Sequence, residues 1–192
     1  MPAMSGIERA FCDSRLWQLT SGPVTRSLPL DGLSGTVLEV GAGAGAVAER
    51  IAGENPDVSF SVVDIDPKMV ASARERLAGV PNVVVEQADA TALPFADASF
   101  DAVLSCLMLH HVIEWEAALA EVKRVLKPGG RLIGYDLTRT LANQVIHKLD
   151  GSPHRLVAPA ELSQACAGLG FGLDLRIRLA RQAMTFVAAR TN

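Results

Sequence analysis

The chain is poor in cysteine: Cys12, Cys106 and Cys166 are odd in number and widely spaced, with no C-x-x-C pair and no histidine beside them. A disulfide framework and a thiolate zinc centre are thereby excluded, so reduced thiols and no metal site are expected. It also lacks a run of basic charge. Its 18 basic residues face 21 acidic ones, and without a cationic stripe to neutralise phosphates, nucleic acid is not an expected partner. Although 49% of the residues are hydrophobic, no apolar stretch approaches the roughly 20 residues that span a bilayer, and no membrane partner is expected. Residues 1–8 show no basic cluster followed by an apolar core, so no secretory signal is read and the expectation is a cytoplasmic protein. No internal repeat or low-complexity tract occurs. What remains is one domain of 192 residues, able to bury a sizeable core without metals or staples. A small molecule is the expected partner, with the chain as monomer or homodimer.

What the sequence does have is concentrated in Val37-Leu38-Glu39-Val40-Gly41-Ala42-Gly43-Ala44-Gly45. A short apolar run ends in an acid, three alternating glycines follow, and Val47 and Ile51 then begin a helical period: strand, tight turn, helix. Glycine tolerates positive φ and carries no Cβ, so the backbone there can come close to a ligand. The N-H groups of the following helix suit an anionic or polar group.

Ahead of this loop Ile7, Ala10, Phe11, Leu16 and Trp17 predict an amphipathic helix ending before Ser21-Gly22-Pro23. Residues 1–34 are read as a helical cap and 35–192 as the main unit. After the loop, 58–64 reads as a second strand ending in Asp64, and Pro67 opens a helix with Met69, Val70, Ala73 and Leu77 on its apolar face. Residues 83–86 and 101–105 read as third and fourth strands. A helix carrying Trp115, Leu119, Val122 and Val125 is expected to be closed by Lys127-Pro128-Gly129-Gly130, with a fifth strand over 131–137.

Alternating strands and helices predict a mainly parallel, doubly wound sheet. The end of the chain differs. Leu173, Leu175, Ile177 and Leu179 alternate with polar residues, and a short link to 183–188 permits only an antiparallel hairpin.

In such a sheet ligands bind beyond the carboxyl ends of the strands. Those ends carry Glu39 with its glycines, Asp64, Asp89 with Ala90, and Ser105 with Cys106. Asp64 follows Gly41 at about the distance at which a second-strand acid meets a ribose diol. Gly41-x-Gly43-x-x-Ala46 also satisfies a dinucleotide fingerprint, which leaves a nicotinamide-dependent oxidoreductase open on the loop alone.

Glu39-Val40-Gly41-Ala42-Gly43-Ala44-Gly45 resembles the acid-x-G-x-G-x-G signature of class I S-adenosylmethionine-dependent methyltransferases. Asp64-Ile65-Asp66-Pro67, Ala88-Asp89-Ala90, Leu93-Pro94-Phe95, Phe100-Asp101-Ala102-Val103, Leu109-His110-His111 and Arg124-Val125-Leu126-Lys127-Pro128-Gly129-Gly130-Arg131-Leu132 follow in that family's order. The resemblance implies a Rossmann-like sheet of seven strands in the order 3-2-1-4-5-7-6, with the last strand antiparallel. It implies S-adenosylmethionine as cofactor and S-adenosylhomocysteine as product.

Residue by residue, Asp64 would hold the ribose, while Asp89 and the Ala90 N-H would read adenine. Ile65, Met69 and Leu107 would sandwich the base. Gly41 and Gly43 would pack on the methionine portion, Glu39 would meet its amino group, and backbone near Ser105 and Cys106 would hold its amino acid end. The family's Asn/Asp-Pro-Pro-Tyr signature is replaced by Ser105-Cys106-Leu107-Met108, which removes support for base and amide N-methylation.

His110 and His111 are the candidate catalytic residues, because histidine titrates near neutrality and can deprotonate an acceptor hydroxyl. The plainer reading has them cap or pack the following helix. Cys106 reads as a buried small apolar residue, since nothing in the sequence supplies the electropositive setting of a reactive thiolate. His154 and Arg155 stand as contacts for an anionic acceptor or as a surface turn. A cofactor-binding module without catalysis is the further alternative to a small-molecule methyltransferase.

Overall fold

In the structure, a computed structural model that describes residues 25–150 and 153–191, the first strand is β1, Thr36–Val40. The helix expected around Ile7 to Trp17, Cys12 and the Gly151-Ser152 pair lie outside the described residues. β1 is followed by α1 (Ala46–Glu54), β2 (Ser59–Asp64), α2 (Pro67–Leu77), β3 (Val83–Gln87) and β4 (Phe100–Cys106). A 3-10 turn, Leu109–His111, then leads to α3 (Trp115–Val125) and β5 (Leu126–Leu137). The chain ends with α4 (Leu141–Asp150), α5 (Pro159–Gly168), β6 (Phe171–Arg178), a 3-10 turn (Leu179–Arg181) and β7 (Ala183–Arg190).

One seven-stranded sheet runs in the order β3-β2-β1-β4-β5-β7-β6. This is the order implied by the resemblance. β1 is parallel to β2 and β4, with Leu38 opposite Ser61 and Val103, while β7 is antiparallel to both β5 and β6. The reason is local: only Leu179–Arg181 and Gln182 separate β6 from β7, too few residues for a helical crossover. Two antiparallel pairings in succession leave β6 parallel to β5, so both end at the edge where β1, β2 and β4 end.

Alternation along β1 sends Leu38 and Val40 into one core and Val37 into the other. The first core holds Trp115, Leu119 and Val122 of α3, Leu162 of α5 and Phe186; the second holds Ile51 of α1, Ala73 and Leu77 of α2, and Tyr135. Burial of such large side chains contributes about 1.5–3 kcal/mol each. Leu28 and Leu33, ahead of β1, pack into the second core. At the start of α2, Asp66 caps by accepting from the Lys68 N-H at 2.8 Å, with Pro67 at the first position, as its sequence suggests.

Three expectations need correction. Lys127-Pro128-Gly129-Gly130 does not precede β5 but bulges from it: Leu126 already pairs with Phe100, and pairing resumes at Ala102 with Arg131. α3 gives way directly to extended backbone at Leu126, and a Cβ on Gly130 would stand 2.9 Å from the Lys127 carbonyl, so glycine lets the bulge fold back. Leu179 is not a strand residue. It lies in the turn after β6 with φ of 49°, and the apolar alternation simply outruns the pairing. Finally, no helix is predicted directly after the fifth strand, yet α4 lies there. Thr140 starts it, its hydroxyl accepting from the Asn143 N-H and its carbonyl from the Gln144 N-H.

Candidate active site

The glycine loop leaves the end of β1 held by two hydrogen bonds to the Val63 carbonyl, from the Gly41 and Ala42 N-H groups. Gly41, Gly43 and Gly45 have φ of 68°, 55° and 78°, a region that disfavours any side chain. Their surroundings differ. A Cβ on Gly41 would stand 2.1 Å from Met108 Cγ, and one on Gly45 2.9 Å from Leu77, whereas one on Gly43 would meet nothing nearer than Met69 Sδ at 4.0 Å. Packing demands glycine at the first and third positions. At Gly43 the missing Cβ leaves open space.

Glu39 points beneath this loop, buried, with its carboxylate accepting from the Ala48 N-H in the first turn of α1. Its Oε2 has no hydrogen-bond partner among the described residues. Burial pushes its pKa up to about 8, and the Asp64 charge adds to this against Ala48 and Arg50. A buried acid with one oxygen unpaired is costly and suits a site built to receive a donor group.

Asp64, at the end of β2, grips the loop: Oδ2 accepts from the Gly43 N-H at 2.8 Å and Oδ1 from the Asp66 N-H at 2.9 Å. Its carboxyl is raised, chiefly by burial and against those two bonds. Ile65 beside it is half-buried, and Met69 is buried against Gly43. Asp89 follows β3 and accepts from both the amide and the hydroxyl of Thr91 at 2.8 Å. Burial works against its charge, but the Thr91 bonds help to hold it below the usual carboxylate range. Ala90 is buried in the first core. After β4, Leu107 takes φ of 57°, and its N-H donates to the Tyr135 carbonyl. Glu39, Gly41, Gly43 and Asp64 thus form one connected group, and Met69 adjoins it at Gly43. Asp89 and Ala90 stand after the neighbouring strand.

His110 is buried in the 3-10 turn, ahead of α3 rather than capping it. Its Nδ1 is in hydrogen-bond contact with Asp136 Oδ1, and its backbone N-H donates to Asp136 Oδ2 at 3.3 Å. Asp136, at the end of β5, is fully buried and also accepts from the Leu137 N-H at 2.6 Å. In a neutral imidazole a carboxylate facing Nδ1 favours the tautomer with the hydrogen there and Nε2 as the acceptor nitrogen.

All four histidines of the chain converge here. Ring centroids of His110 and His111 are 3.9 Å apart, His110 and His147 4.9 Å, and His147 and His154 4.8 Å. Sequence reasoning missed His147, because it projects from α4, the unexpected helix. Thr140 followed by apolar residues at 141, 145 and 149 was the available signal. Nothing local in the sequence marks Asp136, because its pairing with His110 depends on β4 and β5 being neighbours.

One other candidate is occupied elsewhere. Arg155 forms a two-point ion pair with Glu116, with both contacts at 2.6 Å, and stacks 5.3 Å from the Trp115 ring. Its charge is therefore spent on α3 rather than offered to an acceptor. Burial pushes the Cys106 thiol well up, reinforced by Glu39 and Asp136, and Cys166 rises with burial to about 11. Neither has thiolate character. A cavity of about 250 Å³ lined by Gly32, Asp101, Lys127 and Arg131 lies at the opposite end of the sheet and takes no part.

Comparison with known proteins agrees with this geometry. Residues 38–134 match the family model described as a methyltransferase domain. The ubiquinone/menaquinone biosynthesis C-methyltransferase UbiE of Geobacter sulfurreducens is 40% identical over 103 residues, covering 52% of this chain and 40% of the relative. The malonyl-[acyl-carrier protein] O-methyltransferase of Hahella chejuensis is 34% identical over 157 residues, 78% of this chain and 55% of the relative. The chain thus spans about half the length of the curated relatives it matches. Among solved structures, the YcgJ protein of Bacillus subtilis superposes with a TM-score of 0.76 at 20% identity, over 91% of this chain and 99% of that one. Strand order, glycine loop and family match converge: the chain belongs to the methyltransferase-domain family, the class I S-adenosylmethionine-dependent methyltransferases.

Proposed function

We propose that this chain moves a methyl group from S-adenosylmethionine to a small-molecule acceptor whose oxygen or carbon nucleophile must lose a proton, with His110 as the base. The observation that carries this reading is the buried His110 and Asp136 pair at the ends of β4 and β5. The two relatives, one named as a C-methyltransferase and one as an O-methyltransferase, favour the same two atoms over nitrogen.

The residues fit the cofactor on three counts. Among the described residues Glu39 Oε2 is buried without a partner, the open side of Gly43 would be filled by a Cβ, and Asp64 is already aimed at that loop. Glu39 would receive the amino group, Asp64 the ribose hydroxyls, Asp89 and the Ala90 N-H the adenine edge, and Ile65, Met69 and Leu107 its faces. Gly41 and Gly43 would admit the methionine portion close to backbone, beside Cys106. When bound, S-adenosylmethionine supplies a methyl group already activated by its sulfonium sulfur.

The chain's own task is positioning, exclusion of water and proton management. His110 Nε2 takes the acceptor's proton, and Asp136 holds the ring in one orientation and offsets the imidazolium charge. His111 and His147 lie against the same ring and would shape the acceptor side. The dinucleotide reading of the loop is set aside by the family match.

Thermal denaturation tests the donor half. S-adenosylhomocysteine at about 100 times its Kd should stabilise the fold by about 2.7 kcal/mol through mass action, and NADH should not. Stabilisation by NADH alone would overturn the reading.

A further inference from the structure

Eight large hydrophobic side chains are exposed among the described residues, and six of them share one edge. Leu141, Val145, Ile146 and Leu149 come from α4; Ile177 and Leu179 come from the end of β6 and its turn. Leu141 and Leu149 are 81% and 80% exposed, which is extreme for leucine. They lie with Val145 at helical spacing on one side of α4, while Asn143 and His147 are buried on the other. The two elements are stitched together. Asn143 Nδ2 donates to the Gln182 carbonyl at 2.8 Å, the Thr138 N-H donates to the same oxygen at 3.0 Å, and the Thr138 hydroxyl donates to the Arg181 carbonyl.

The charge of this edge is opposite to that of the chain. Residues 138–150 and 176–181 hold Arg139, Lys148, Arg176, Arg178 and Arg181 against the single acid Asp150, in a protein of net charge -3. Arg139 and Arg176 pair with Glu161 and Asp174, whereas Lys148, Arg178 and Arg181 form no ion pair among the described residues. An apolar helix face flanked by uncommitted cations has the composition that lies on anionic membranes. Its place is informative too. Because β6 runs parallel to β5, the turn after β6 is at the carboxyl end of the sheet, and the inner side of α4 supplies His147 to the histidine cluster.

We propose that the α4 face and the β6–β7 turn dock on the surface of an anionic phospholipid bilayer, setting the histidine side of the site against the lipid. Among the described residues no helix is long and apolar enough to cross a membrane, and surface docking requires none. Docking does not depend on methyl transfer.

Flotation of the full-length chain with vesicles of phosphatidylglycerol and phosphatidylcholine tests it. The protein should rise with these vesicles, several-fold less with phosphatidylcholine alone, and less at high salt as the cations are screened. Leu141→Ser with Leu149→Ser should cut the bound fraction at least about tenfold, since both side chains would have entered the interface. Arg178→Gln with Arg181→Gln should weaken binding at low salt. Each variant should keep the wild-type thermal response to S-adenosylhomocysteine, which separates loss of docking from loss of the donor site. Absence of flotation, or flotation indifferent to the leucine changes, would overturn the proposal. So would a dimer in light scattering that the leucine changes dissociate without any vesicle binding, because a second copy would then cover the face.

Discussion

Asp136 and His110 meet in the interior, the carboxylate at the end of β5 against the Nδ1 of a ring in the turn after β4, and neither side chain reaches bulk water. Two further N-H groups, from Leu137 and from His110 itself, hold the carboxylate in place. The ring is therefore oriented by a group that is itself fixed.

Asp136→Asn should lower kcat by about 10²-fold, the lower range for loss of general base catalysis, with KM for the donor nearly unchanged. His110→Gln should do the same. The double variant should be little slower than either single one, because the two residues act as a unit. Steady-state kinetics decides this, with the S-adenosylhomocysteine thermal shift confirming that each variant is folded.

How much of this was legible beforehand follows from where each signal resides. The glycine loop and Asp64 were readable because each depends on a local pattern: strand, positive-φ glycines, acid at a strand end. The strand order is not local and came only with the family resemblance. The His110 and Asp136 pair was not, since 26 residues separate its members and only the β4 and β5 pairing joins them. α4 stayed hidden for another reason. Its apolar residues do recur at helical spacing after Thr140, but they face outward, the reverse of the core-facing stripe by which a helix is placed. The bulge at Lys127-Pro128-Gly129-Gly130 was mistaken for a boundary because proline and glycine mark a turn without saying whether pairing resumes after it.

Asp64→Ala should abolish the thermal response to S-adenosylhomocysteine. The same change frees the Gly43 and Asp66 N-H groups, and loss of those bonds should cost the apoprotein about 1–3 kcal/mol. Denaturant melts with and without ligand measure both effects. A retained ligand shift would remove Asp64 from the donor site.

The glycines separate packing from ligand space. Gly41→Ala drives a Cβ into Met108 and should lower the melting temperature of the apoprotein itself. Gly43→Ala has room in the empty fold, so it should carry only the positive-φ cost of about 1 kcal/mol while losing most of the ligand response. Thermal melts of the two variants side by side distinguish them.

Glu39 makes the apoprotein sensitive to alkali. In the folded chain it keeps its proton up to about pH 8, while an unfolded glutamate releases it near 4.5. Between those values the native state binds more protons, so stability is full below the lower value and declines as pH rises through the upper one, by at most about 1.4 kcal/mol per pH unit. Glu39→Gln, which can still accept from the Ala48 N-H, should flatten that decline and raise the melting temperature at pH 8. Melts from pH 5 to 8.5 give the comparison.

The most direct measurement is product formation. Isotopically methyl-labelled S-adenosylmethionine, a cell metabolite extract and the purified chain are incubated together, and mass spectrometry follows the label. The account predicts that a small molecule gains the labelled methyl on oxygen or carbon, one S-adenosylhomocysteine forming per transfer. It predicts at least about tenfold less with His110→Gln at unchanged donor binding. Donor binding without any labelled metabolite, or equal labelling by wild type and His110→Gln, would contradict it.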